Sequence, residues 1–164
     1  MSETAAKVEI RRGLKDVYFD RSKVCFIDGR AGELRYRGYS IHDLAPNSTF
    51  EETCYLLLKG ELPTKGQLEV FTSELRNARN LPKEILDIIK AIQKAHPMDV
   101  LRTAVSALAA FDPEVGDNSA PATLRKAVRL TAQVPMIVAA HEQIRNGRAP
   151  IEPERDHAGG FDFG

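Results

Sequence analysis

Four histidines and two cysteines are the residues of this sequence best suited to catalysis or metal binding. His42, His96, His141 and His157 stand far apart, with no second histidine at i+3 or i+4 and no HExxH context, and Cys25 and Cys54 have no CxxC spacing. A metal site built from local sequence needs such spacing, so no metal ligand is assigned. GxxxxGKS/T, GxGxxG and GxSxG are all missing, which removes the common phosphate cradles and the serine nucleophile elbow. The glycine turns at Asp28–Gly32 and Gly159–Gly160 lack the strand and helix context of a phosphate cradle.

Three clusters remain to be weighed. His96-Pro97-Met98 falls where a helix should begin, where a histidine bonds to backbone and proline fixes the entry angle; that reading is preferred to a catalytic imidazole. His141 falls in a long apolar helix and reads as a packed or surface residue. Arg35-Tyr36-Arg37-Gly38-Tyr39 mixes basic and aromatic residues as RNA-binding strands do, but no wider basic excess accompanies it. A hairpin edge whose arginines pair with carboxylates is the simpler account. Arg11-Arg12 is either a solvated pair or a phosphate contact.

The elements that position these residues are mainly helical. Residues 14–38 alone read as strand: Leu14, Val17, Tyr18 and Phe19, then Val24 to Ile27, a turn at Asp28–Gly32, and Leu34 to Arg37; a small hairpin is expected there. Ser48-Thr49-Phe50-Glu51 and Thr64-Lys65-Gly66-Gln67 are capping boxes. The first opens a helix with Phe50, Cys54, Tyr55, Leu57 and Leu58 on one face before Gly60, and the second leads into Leu68, Phe71 and Leu75. Pro82 and Pro97 suit first turns of two more helices, with stripes Ile85, Leu86, Ile88, Ile89, Ile92 and Met98, Leu101, Val105, Leu108. A fifth, from about Ser119 to Asn146-Gly147, carries Leu124, Val128, Thr131, Val134, Ile137, Val138 and Ile144, and its Pro135 predicts a kink. The expected division is an arm at 1–13, the hairpin at 14–38, a helical part at 39–148 and an irregular tail at 149–164.

Composition narrows the class. A chain of 164 residues, 43% hydrophobic and 28% charged, has the make-up of one globular domain with a real core. Lysine and arginine (23) balance aspartate and glutamate (23), so no bulk field draws the chain to nucleic acid or anionic lipid. Two cysteines are too few for a secreted disulfide framework, and there is neither an apolar leader near residue 1 nor an uninterrupted span of about eighteen apolar residues. The expected setting is the cytoplasm, with no membrane and no nucleic-acid partner.

Three stretches, in order, resemble one family. Gly13-Leu14-Lys15-Asp16-Val17 with Ile27-Asp28-Gly29-Arg30-Ala31-Gly32-Glu33-Leu34-Arg35-Tyr36-Arg37-Gly38-Tyr39-Ser40-Ile41 through Leu44-Ala45 resembles the N-terminal signature of the citrate synthase family. Phe50-Glu51-Glu52 to Leu57-Leu58-Lys59-Gly60-Glu61-Leu62-Pro63 fits the helix that follows it, and His96-Pro97-Met98-Asp99-Val100-Leu101-Arg102-Thr103-Ala104-Val105-Ser106 resembles the family's HPM helix, most like bacterial citrate and 2-methylcitrate synthases. The resemblance covers residues 10 to about 158.

What it implies is an all-α fold, a large-domain portion of the citrate synthase type with a small N-terminal β-hairpin, and a homodimer. The implied reaction condenses an acyl-CoA, acetyl-CoA or propionyl-CoA, with oxaloacetate and hydrolyses the CoA ester to citrate or 2-methylcitrate plus CoA. The coenzyme A thioester is a co-substrate, and no tightly bound cofactor is expected. In the family an aspartate takes a proton from the acyl group, a histidine stabilises the enol, and further histidines and arginines clamp the dicarboxylate. All of these lie beyond the stretch that matches, so no catalytic residue is assigned and this stretch alone is expected to be inactive. Arg12, in Arg12-Gly13-Leu14-Lys15, aligns with a basic residue that touches the CoA phosphate in some relatives. Relatives also continue past the His157-Ala158 position into a helix, whereas Gly159-Gly160-Phe161-Asp162-Phe163-Gly164 argues against one. The alternative implied is a non-catalytic short paralogue or split subunit that completes or regulates a citrate-synthase-like partner.

Overall fold

The computed structural model describes residues 20–151 together with Gly13 and Val17. A three-stranded antiparallel sheet comes first: β1 (Cys25–Asp28), β2 (Glu33–Tyr36) and β3 (Tyr39–Ser40). Cys25 faces Tyr36 and Asp28 faces Glu33, while Tyr36 faces Tyr39. The two-residue turn between β2 and β3 holds Arg37 and Gly38 at φ 50° and 94°. Paired positive φ values match the twist of a tight hairpin, and glycine supplies the second at no steric cost. The third strand lies just past the expected hairpin. Of the first β-rich run, Leu14, Tyr18 and Phe19 fall outside the described residues, and Val17 is exposed and in no strand.

Six α-helices follow among the described residues: α1 (Ile41–Asn47), α2 (Phe50–Lys59), α3 (Lys65–Asn77), α4 (Lys83–Ala91), α5 (Pro97–Leu108) and α6 (Ala120–Arg145). Every start but that of α4 has a side-chain cap; there Pro82 stands at the N-cap position itself, one residue before the first turn expected for it, and makes no side-chain cap bond. The Ser40 side chain caps α1, Thr49 with Glu52 and Thr64 with Gln67 form reciprocal capping boxes on α2 and α3, and Ser119 caps α6 ahead of Pro121. The α2 box therefore uses Thr49 and Glu52, one residue beyond the Ser48–Glu51 pair read from the sequence. Glu51 is instead buried. Gly60, at φ 99°, ends α2 in the left-handed conformation, its N–H on the Leu56 carbonyl.

The helices pack into two core clusters that share α6. In one, Cys54 and Tyr55 of α2 and Phe71 and Leu75 of α3 meet Val128 and Ala132, with the Tyr55 and Phe71 rings edge-on at 5.4 Å. In the other, Ile85 and Ile89 of α4 and Val100, Ala104 and Leu108 of α5 meet Ile137, Ala140 and Ile144. Each fully buried isoleucine or phenylalanine contributes roughly 1.5–3 kcal/mol through apolar burial.

Three faces differ from the sequence stripes. On α2, Leu56 is fully buried while Phe50 is half exposed, because the helix is covered on more than one side. On α5, Val100 and Ala104 point inward and Met98 is exposed. On α6, alanines 122, 132 and 140 line the contact and Val138 faces out. Small residues let helix axes approach, so contact replaces hydrophobicity as the deciding quantity. Pro135 sits inside α6, which continues past it to Arg145.

Candidate functional site

The resemblance motifs build the joints of this scaffold. In the Asp28 turn, the carboxylate accepts from the N–H groups of Arg30 at 2.9 Å and Ala31 at 3.1 Å, holding the reversal between β1 and β2. Arg35 pairs with Glu33 on the same strand, as a hairpin-edge arginine should. Arg37 does not meet a carboxylate. It donates from Nη2 to the Leu57 carbonyl at 2.9 Å, one of the last-turn carbonyls of α2 that have no partner within the helix. The basic-aromatic stretch thus docks the sheet on a helix end.

His96 is the N-cap of α5. Its Nδ1 accepts from the Met98 N–H at 3.2 Å, Pro97 takes the first helical position, and Asp99 accepts from Arg102 at 3.0 Å. The motif reads as a helix start. His141 is buried on α6 with Nε2 3.1 Å from the Gln93 carbonyl; a carbonyl only accepts, so Nε2 carries the proton. Both histidines therefore serve the α4–α5 turn, one holding its backbone and the other starting the helix that leaves it. His42 is exposed on α1. No group of three metal-ligating side chains occurs among the described residues. Arg11, Arg12 and His157 lie outside them.

An ion network that the sequence reading missed holds the connection between α5 and α6. Arg129 donates to both Asp112 oxygens at 2.7 and 2.9 Å and to Glu114 at 2.9 Å, and Arg125 donates to Glu114 from Nε at 2.9 Å and from Nη2. The Arg129 hydrogen bonds, with the Glu114 N–H, hold the Asp112 carboxyl below its ordinary range, and Arg125 followed by Arg129 does the same for Glu114. The readable signal was two arginines four apart on a helix behind an acidic connection. Elsewhere, burial pushes the Cys54 thiol up.

No constellation of nucleophile, base and oxyanion donor is assembled among the described residues. What they build is a framework with capped helices and one charged clasp. Comparison with known proteins gives that framework a context. The family model described as Citrate synthase, C-terminal domain, matches residues 13–161. A citrate synthase of Haloferax volcanii is 41% identical over 162 residues, covering 93% of this chain and 42% of that protein. A 2-methylcitrate synthase of Mycobacterium tuberculosis is 39% identical over 146 residues, covering 88% and 37%. Among solved structures, citrate synthase from Pyrobaculum aerophilum superposes with a TM-score of 0.87 at 36% identity, covering 94% of this chain and 41% of that one. A Thermoplasma acidophilum citrate synthase, in ternary complex with carboxymethyl coenzyme A and oxaloacetate, superposes at 0.84 with 25% identity, covering 93% and 40%. The chain thus spans about two fifths of the length of the relatives it matches.

Proposed function

The chain belongs to the citrate synthase family, and on that premise we propose that it is the scaffold portion of an enzyme that condenses an acyl-CoA with oxaloacetate and releases CoA. One water is consumed and citrate or 2-methylcitrate forms, according to whether acetyl-CoA or propionyl-CoA enters. The observation that carries this reading is agreement in sequence and fold over more than nine tenths of the chain, 41% identity with one citrate synthase and a TM-score of 0.87 with another. The contribution of these residues is positional: α5 packs against α6 through Val100, Ala104, Leu108, Ile137, Ala140 and Ile144, and preorganised scaffolds are what catalytic groups need.

The groups that move protons in this reading belong to the part of the family fold outside the matched two fifths. Arg12 is proposed as a contact to a CoA phosphate, on the strength of its motif alone. A homodimer in the cytoplasm completes the reading; no helix among the described residues is long and apolar enough to cross a membrane.

A second reading is a non-catalytic chain that binds and completes or regulates a citrate-synthase-like partner. Met98 on α5 and Val138 on α6 are exposed, and contact with further protein would cover them under either reading.

Thiol release from acetyl-CoA or propionyl-CoA with oxaloacetate separates these readings. It is measured for the chain alone and for the chain co-expressed with the segment of the Haloferax volcanii enzyme beyond the match. The first reading expects release from the pair and none from the chain. Release from the chain alone would overturn the placing of the reacting groups elsewhere. Co-purification without release would favour the second reading.

A further inference from the structure

α6 ends on Asn146-Gly147, the one Asn-Gly pair in the sequence. Such a pair is prone to lose its side-chain amide, because glycine sets no side chain in the way of its own nitrogen and turns freely about its backbone. In that reaction the Gly147 nitrogen attacks the Asn146 Cγ. The N–Cγ bond forms, the Cγ–Nδ2 bond breaks, and ammonia leaves with the Gly147 proton. Water then opens the cyclic imide at either carbonyl, leaving aspartate or isoaspartate.

The helix end needs that glycine. Gly147 has φ 72°, the left-handed conformation common just past a helix, and its N–H donates to the Ile144 carbonyl at 3.0 Å. The Arg148 N–H reaches back to the Gln143 carbonyl at 2.9 Å. Together these bonds make a Schellman closure, which satisfies last-turn carbonyls that the helix leaves open.

The same closure keeps the reactants apart. The attacking nitrogen is held on Ile144, itself packed in the cluster of α4, α5 and α6. The leaving amide is held as well, its Nδ2 donating at 2.8 Å to the Glu142 carbonyl and at 2.8 Å to Glu142 Oε1. With ψ 12°, the Asn146 nitrogen nearly eclipses that of Gly147 about the Cα–C bond, which turns Cβ and the amide it carries away from the attacking atom. Asn146, Gly147 and Glu142 are all exposed, so hydrogen bonding and backbone shape, not burial, set the rate.

We propose that Asn146 is a site of spontaneous amide-to-acid modification gated by the closure at the end of α6, kept intact while the turn is formed and converted when it opens. The change is lasting. A carboxylate at this position has lost the donors of the amide and stands beside Glu142 at the negative end of the helix dipole. A converted chain therefore lacks the contacts that kept the turn shut.

Incubation of the chain at mildly alkaline pH, in buffer and in guanidinium chloride, with peptide mass mapping of position 146 over time, tests this. Conversion in buffer should be about tenfold or more slower than in denaturant. Glu142→Ala removes the Oε1 contact and should speed conversion in buffer while leaving the rate in denaturant unchanged. Glu142→Gln keeps an acceptor oxygen and should stay near wild type. Asn146→Asp carries the product's charge, and amide exchange at Gly147 and Arg148 should be faster in it. Helicity by circular dichroism accompanies each variant. Equal rates in buffer and denaturant, no acceleration in folded Glu142→Ala, or an acceleration of the same size in denaturant would overturn the gating. Unchanged exchange in Asn146→Asp would overturn the lasting loss of the closure.

Discussion

Arg37 holds the Leu57 carbonyl at 2.9 Å from a backbone position with φ 50°. A side chain in the left-handed region carries a conformational cost, so its guanidinium contact must repay more than an ordinary surface arginine would. The contact joins the sheet to the C-terminal turn of α2, which otherwise ends on Gly60.

Replacing Arg37 separates the two terms. Arg37→Ala should destabilise the chain by about 1–2 kcal/mol, because a charge-assisted bond is lost and a half-buried carbonyl is left without its donor. Arg37→Gly loses the same bond but relieves the positive φ, and should be less harmful by roughly 0.5–1 kcal/mol. Urea unfolding reads both, and equal losses would show that the turn carries no strain.

The register of the α2 cap has a direct check. Thr49→Ala should cost about 1 kcal/mol, since its Oγ1 accepts from the Glu52 N–H at 3.2 Å while Glu52 accepts from the Thr49 N–H at 2.7 Å. Ser48→Ala should fall within about 0.5 kcal/mol of wild type. Thermal melts that reverse this order would restore the Ser48–Glu51 box.

The clasp sets an acid limit on stability. Asp112 and Glu114 have folded-state pKa values depressed by Arg129 and Arg125. The unfolded chain therefore binds protons first as pH falls, and the stabilisation is fully present above the ordinary carboxylate range and lost through the depressed values below it. Melting temperature should fall between pH 5 and pH 3, and less steeply in Arg129→Met, which already lacks the pairing. Parallel slopes would mean that the pairs are too solvated to matter.

The two thiols should behave differently. Cys25 is exposed on β1, whereas Cys54 is buried in the α2–α3–α6 cluster and its thiol is pushed up by that burial. Thiolate is the reactive form, so Ellman's reagent at pH 8 should titrate one fast and one slow thiol. Cys25→Ser should remove the fast phase, and urea should merge the two in wild type. Loss of the slow phase instead would reverse the assignment.

Local signals made most helix starts readable. Thr64 with Gln67, Pro97, and Ser119 before Pro121 each announce a start within a few residues, because a cap is a short-range hydrogen bond. α1 was not distinguished. Its seven residues bury only Leu44 and include Pro46, leaving no stripe to detect. The inward faces of α5 and α6 were harder for another reason: Ala104, Ala132 and Ala140 are buried because neighbouring helices come close, a relation between elements and not a property of either. The Asp112–Arg129 pair spans seventeen positions and required the path of the connection to be known. His96 was legible as a cap from Pro97 alone. The family's reacting groups were not legible because the motifs present mark joints.

Pro135 divides α6 between the two clusters: Val128 and Ala132 lie before it, Ile137, Ala140 and Ile144 after it. Lacking an N–H, it interrupts the backbone ladder at the one point where neither cluster reaches across. Deuterium uptake should therefore resolve this single rod into two separately opening units, each as slow to exchange as its own cluster is stable. A change that loosens α3 would speed exchange in the first half of α6 before it reached the second. The longest helix of the fold thus acts as a seam between cooperative blocks.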